Sequence, residues 1–94
     1  MDSTRPVSLF ELPLGQAATV SGEAPATGGN AASELALRLF EIGFVEGERV
    51  RIVARGQPGG EPVAVRVGNT MFALRRFEAE QVLVIPDNPG RNQP

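Results

Sequence analysis

Between Glu48 and Gly68 apolar residues recur at every second position in two short runs, and glycine cuts off each run. Val50, Ile52 and Ala54 alternate with Arg49, Arg51 and Arg55. Val63, Val65 and Val67 alternate with Ala64 and Arg66. A period of two is that of a strand with one face buried and one face in water. Pro58-Gly59-Gly60 separates the first two runs, and Gly68-Asn69 makes a tight turn into Thr70 to Leu74, a hairpin. Phe77 to Gln81 reads as one helical turn, and Val82 to Ile85 as a closing strand. Strands this short need several neighbours before they hold together. The pattern therefore confines the chain to a small, mainly β architecture.

The first half of the chain is consistent with that. Val7 to Leu12 is apolar and stops at Pro13; Leu14-Gly15 makes a turn into a short strand, Gln16 to Gly22, with Ala18 and Val20 on one face. Gly22 to Asn30 is a loop by its Gly, Pro and small polar content. Ala31 to Ile42 has helical spacing, with Leu35, Leu39 and Ile42 at i, i+4 and i+7. Asn30 or Ser33 can cap its start, and Gly43 can end it in a left-handed turn, with Phe44 and Val45 folding back. Five strands with a helix inserted after the first predict a small barrel, whose closure removes exposed edges. Residues 7–85 form the expected domain, between a flexible start, Met1 to Pro6, and a flexible tail, Pro86 to Pro94.

Composition narrows the chemistry. The 94 residues include 26 Leu, Ile, Val and Phe, enough for one modest core. Histidine and cysteine are both absent, which removes the commonest general base, the commonest neutral metal ligand and every thiol site. Ser3, Ser8, Ser21 and Ser33 have no imidazole to activate them. Glu78 and Glu80 are two apart, so a helical turn does not face them together; Glu46 and Glu48 flank a glycine on a solvated turn. No catalytic residue is expected, and no enzyme. The remaining metal donors are carboxylates and carbonyls, which suit Mg, Ca or Mn rather than selective Fe(II) capture. No cofactor or metal site is therefore expected, and any divalent ion would be carboxylate-bound and adventitious. No apolar run reaches the roughly 20 residues of a membrane helix, and the N-terminus lacks a secretory pattern. A cytoplasmic protein is expected.

Several segments in fixed order carry a resemblance to a known family. They are Leu12-Pro13-Leu14-Gly15, then Leu39-Phe40-Glu41-Ile42-Gly43-Phe44-Val45-Glu46-Gly47, then Val50-Arg51-Ile52. Pro58-Gly59-Gly60-Glu61-Pro62, Val65, Gly68, Ala73-Leu74-Arg75 and Glu78-Ala79 before Val82-Leu83-Val84 continue the series. Over Val7 to Ile85 the chain resembles the FeoA family, the small cytosolic partner in bacterial ferrous iron uptake. The resemblance implies an SH3-like barrel, similar also to the C-terminal domain of iron-dependent repressors. It implies a non-enzymatic accessory role, binding the membrane transporter FeoB on its cytoplasmic side and modulating its GTPase or transport. It leaves a weak homodimer open and supplies no catalytic residue.

Function is then to be sought on the surface. All nine basic residues are Arg. Alternation turns Arg49, Arg51 and Arg55 outward on one strand and Arg66 on the next, and Arg75 and Arg76 follow the hairpin. With Phe44 and Met71 beside turns or strand ends, the candidate partner-binding residues are Arg49, Arg51, Arg66, Arg75, Arg76, Phe44 and Met71. An SH3-like groove reading polyproline needs Tyr or Trp, and the chain has neither. The alternative is a nucleic-acid-binding SH3-like module. A net charge of -2 and the lack of Tyr and Trp for stacking count against it, so no nucleic acid is expected.

Overall fold

The structure is a computed structural model describing residues 5–22 and 29–87, with backbone alone for 29–33. Its strands are β1 (Val7–Ser8), β2 (Ala17–Val20), β3 (Arg49–Arg55), β4 (Val63–Val67), β5 (Thr70–Leu74) and β6 (Leu83–Pro86). The helices are α1 (Gly29–Ile42), inserted between β2 and β3, and α2 (Arg76–Ala79), before β6. A 3-10 turn, Leu9–Glu11, follows β1. All pairings are antiparallel, in the order β1-β6-β2-β3-β4-β5. Five of these strands are the expected ones. The sixth, β1, has two residues, too few to leave an alternation signal in Val7 to Leu12.

Ladder bonds do not close the sheet among the described residues, because β1 and β5 are its two ends. The join is made by side chains. The turn after β1 packs against α2 after β5. At their contact the Arg55 and Arg76 guanidinium carbons each lie 5.0 Å from the Phe10 ring centroid. Arg55 Nη2 also donates to the carbonyls of Phe10 (2.6 Å) and Leu12 (2.8 Å). Two cations over one ring, one of them tied to two backbone acceptors, form a seam across the open side.

The core lies inside this curved sheet. Leu9, Leu12, Ala18, Ile52, Val63, Val65, Ala79 and Val84 are fully buried. β2 and β4 follow the alternation of their sequences, with Ala18, Val20, Val63, Val65 and Val67 inward. β3 does not. Ile52 pairs with Val65 but Ala54 pairs with Ala64, so Val53 is an extra residue opposite no partner. A bulge of this kind reverses the phase of everything after it. Ala54 is exposed, and Arg55, expected outward, pairs with buried Val63 and turns to the Phe10 seam.

α1 starts at Gly29, two residues before the expected start; its first side chains, including the candidate caps Asn30 and Ser33, lie outside those described. It ends as expected. Phe44 N–H donates to Leu39 O (3.0 Å) and Gly43 N–H to Phe40 O (3.2 Å), the paired bonds of a Schellman ending. Gly43 has φ +134, a conformation side chains resist. Leu39 is buried, but Ile42, expected beside it, is 45% exposed. The chain reverses at Gly43, and Phe44 is buried in the core. Phe44 packs on Phe72 with ring centroids 5.3 Å apart.

The domain also runs past its expected edge. Pro86 still pairs with Ala18, and Asp87 N–H donates to Ala17 O at 3.0 Å. A proline at a strand end costs the ladder little. The rest of the expected tail, 88–94, the start, 1–4, and loop residues 23–28 lie outside the described residues.

Candidate partner-binding site

Strand register gathers four of the seven candidate residues on one face. Arg51 on β3 pairs with Arg66 on β4, and Arg66 pairs with Met71 on β5, so the three form a row across the sheet. Arg49 lies two residues from Arg51 on the same face of β3, and Ala17 extends the row on β2. All three arginines are exposed, and Met71 is 52% exposed. Arg49, Arg51 and Arg66, with Ala17, Val50 and Gly68, line a shallow depression of about 160 Å³.

Electrostatics differ along the row. The Asp87 carboxylate accepts from both Arg49 nitrogens, Nη1 at 2.9 Å and Nη2 at 2.7 Å, a two-pronged pair. Arg49 Nη1 also donates to Thr19 Oγ1 at 3.1 Å. The hydrogen bond from Arg49 holds the Asp87 carboxyl below the usual range; burial pushes back against it, and the Arg49 and Arg51 charges lower it further. The same bond raises the Arg49 guanidinium. Arg51 Nη1 donates to a neutral acceptor, Gly15 O, at 2.7 Å. The ion pairs among the described residues are Arg49–Asp87 and Arg76–Glu80, and Arg66 belongs to neither.

The other three candidates fall elsewhere. Arg75 lies four residues beyond Met71 along the chain, about 13 Å away at the strand rise of about 3.3 Å per residue. Its N–H donates to Glu78 Oε1 at 2.7 Å and starts α2. Arg76 is held by the seam: its backbone N–H donates to Glu61 Oε1 (2.6 Å), its Nε to Glu80 Oε2 (2.9 Å), and its guanidinium lies on Phe10. Phe44 is 5% exposed and is a core residue rather than a surface contact. It forms one wall of a cleft of about 240 Å³ between α1 and β2, with Leu39, Phe40, Glu46 and Gln81. Asp87, which sequence reading placed in the tail, belongs to the site; only its position one residue after a proline-ended strand hinted at it.

No group of three His, Cys, Asp or Glu side chains able to hold a metal occurs among the described residues. No described helix is long and apolar enough to cross a membrane.

The family profile described as FeoA domain matches residues 7–86. The chain belongs to the FeoA family. No curated protein matches it in a direct comparison. Among solved structures it is similar to Stenotrophomonas maltophilia FeoA, at 47% identity over 83% of this chain and 88% of that one, TM-score 0.66. That protein was crystallised with zinc and put forward as a procaryotic SH3 domain protein acting as a ferrous iron transport activating factor. A FeoA-like protein from Clostridium acetobutylicum matches at 26% identity over 88% of each chain, TM-score 0.72. A manganese-dependent transcriptional repressor matches at 19% identity over 93% of this chain and 45% of that one, TM-score 0.69, and shares the fold. The chain is thus an SH3-like, mainly β FeoA protein, of a family tied to ferrous iron transport.

Proposed function

We propose that this FeoA protein is a non-enzymatic accessory subunit of bacterial ferrous iron uptake. In this reading it binds a FeoB-type membrane transporter on the cytoplasmic side and modulates its GTPase or its transport. The observation that carries the reading is the FeoA match over residues 7–86. The absence of His and Cys supports a binding role over a catalytic one. The outer face of β3, β4 and β5 supplies the contact, with Arg51, Arg66 and Met71 in one row and Arg49 beside it.

Arginine suits this use. Its planar fork meets carboxylates with two parallel bonds, and its weak hydration keeps the cost of burial at an interface low. A cationic row also speeds encounter with an acidic partner and makes association sensitive to salt. Calorimetric titration of the chain into the transporter's cytoplasmic domain tests the proposal. Saturable binding that weakens with salt is expected, together with reduced ferrous iron uptake when the gene is deleted. Absence of binding with uptake unchanged on deletion would sink it.

A further inference from the structure

We propose that the depression framed by Arg49, Arg51 and Arg66 is an oxyanion subsite that receives a carboxylate side chain of an acidic, partly apolar peptide segment. The inference deepens the docking role above and rests on it.

Arg51 and Arg66 are directly paired across β3 and β4, and both line the depression. Cross-strand neighbours have Cβ atoms about 5 Å apart, and like charges so placed repel. No described carboxylate is ion-paired with either: Arg51 hydrogen-bonds the Gly15 carbonyl, Arg66 joins no described ion pair, and Asp87, which feels the Arg51 charge, is bonded to Arg49. A face built for stability alone would place a Glu or Thr at one of these positions. An anion shared between the two arginines turns the repulsion into two attractions.

The chain itself shows which anion fits. At the rim of the depression Asp87 docks on Arg49 through both carboxylate oxygens, at 2.9 and 2.7 Å. Asp87 is thus a built-in example of the ligand chemistry, seated one arginine away from the empty pair. Met71 selects a peptide over a bare anion. It continues the row from Arg66, half in solvent, with no charge to satisfy. Inorganic phosphate would leave it idle. A peptide with a glutamate or aspartate beside a leucine or valine would use both.

The test uses the full chain and a short blocked peptide alternating glutamate and leucine, with the glutamine-leucine peptide as control. Binding is followed by backbone amide shifts at low ionic strength. The glutamate peptide is expected to move the amides of Arg51, Arg66 and Met71, and the control to leave them. Arg66→Gln is expected to weaken binding about fivefold, the scale of one exposed charge pair. Asp87→Asn is expected to tighten it, by releasing Arg49. Shifts elsewhere only, no shifts at all, or undiminished binding by Arg66→Gln overturn the subsite. So does inorganic phosphate moving the same amides when the peptide does not. Failure here is separable from failure of the accessory role. If the transporter's cytoplasmic domain binds wild type and Arg66→Gln alike, the subsite is wrong and the role stands. If the peptide binds as expected and the domain does not, the subsite stands and the role falls.

Discussion

At the scale of single residues, Asp87 shows how a surface pair ties chain to sheet. Its carboxyl is held below the unfolded value of about 3.9 by the Arg49 hydrogen bond. The stabilisation is therefore present above that value and is lost as pH falls through the folded one. Both side chains are largely in solvent, 59% for Arg49 and 40% for Asp87, so screening limits the pair to about 0.5 kcal/mol. Asp87→Asn should lower stability by that amount near neutral pH, and the gap to wild type should close in denaturant titrations well below pH 4. A gap that persists in acid would show that the amide disturbs something other than the ion pair. Gly56 is a sharper case. A Cβ there would stand 2.4 Å from the Glu61 carbonyl oxygen, a backbone atom that cannot swing aside. Its N–H also donates to Pro62 O at 2.9 Å, which fixes the approach. Gly56→Ala should cost about 2 kcal/mol or more, read as a thermal melt lowered by roughly 10 °C in a domain of this size. An unchanged melt would mean that the 56–62 loop relaxes freely.

At the scale of elements, alternation in the sequence placed β2 and β4, because each is a regular strand with one face buried, and the Gly68-Asn69 turn placed β5. Alternation ended β3 at Arg55 correctly but misread which way its last residues face, because a bulge at Val53 is a single extra residue with no composition of its own. That one residue moved Arg55 from the outer face to the seam, where it bonds Phe10 O and Leu12 O. Arg55→Ala should therefore destabilise by about 2 kcal/mol, the scale of charged hydrogen bonds to backbone acceptors. Arg51→Ala, with one bond on the exposed face, should cost far less; equal losses in paired melts would contradict the bulge. The helix was legible through Leu39 and its end at Gly43, but Ile42, at the same helical spacing, is exposed in the last turn. Leu39→Ala should cost about 2–5 kcal/mol, and a melt within a degree of wild type would remove it from the core. The partner face was half legible. Arg49, Arg51 and Arg66 share it because strand alternation and register agree there. Arg75 and Arg76 lie beyond the strand end, where α2 turns them to other partners. Phe44 folds back at Gly43 as its position predicts, which puts it in the core, away from the arginine row.

At the scale of the whole molecule, the division of labour follows the two faces of the sheet. The inner face holds Val, Leu and Ile, and side chains seal its open side at Phe10. The outer face of β3 to β5 carries charge without a full set of counter-charges, which is a poor arrangement for stability and a usable one for recognition. The chain's negative net charge does not oppose this, because its carboxylates lie largely outside the Arg51–Arg66–Met71 row. The most direct measurement is the affinity of the transporter's cytoplasmic domain for wild type and for the Arg51→Glu/Arg66→Glu double variant, with melts to confirm that both fold. A loss of about tenfold or more in affinity, with the melts within a few degrees, is predicted for reversing two interface charges. Equal affinity for the two folded proteins would contradict the claim that this face is where the partner docks.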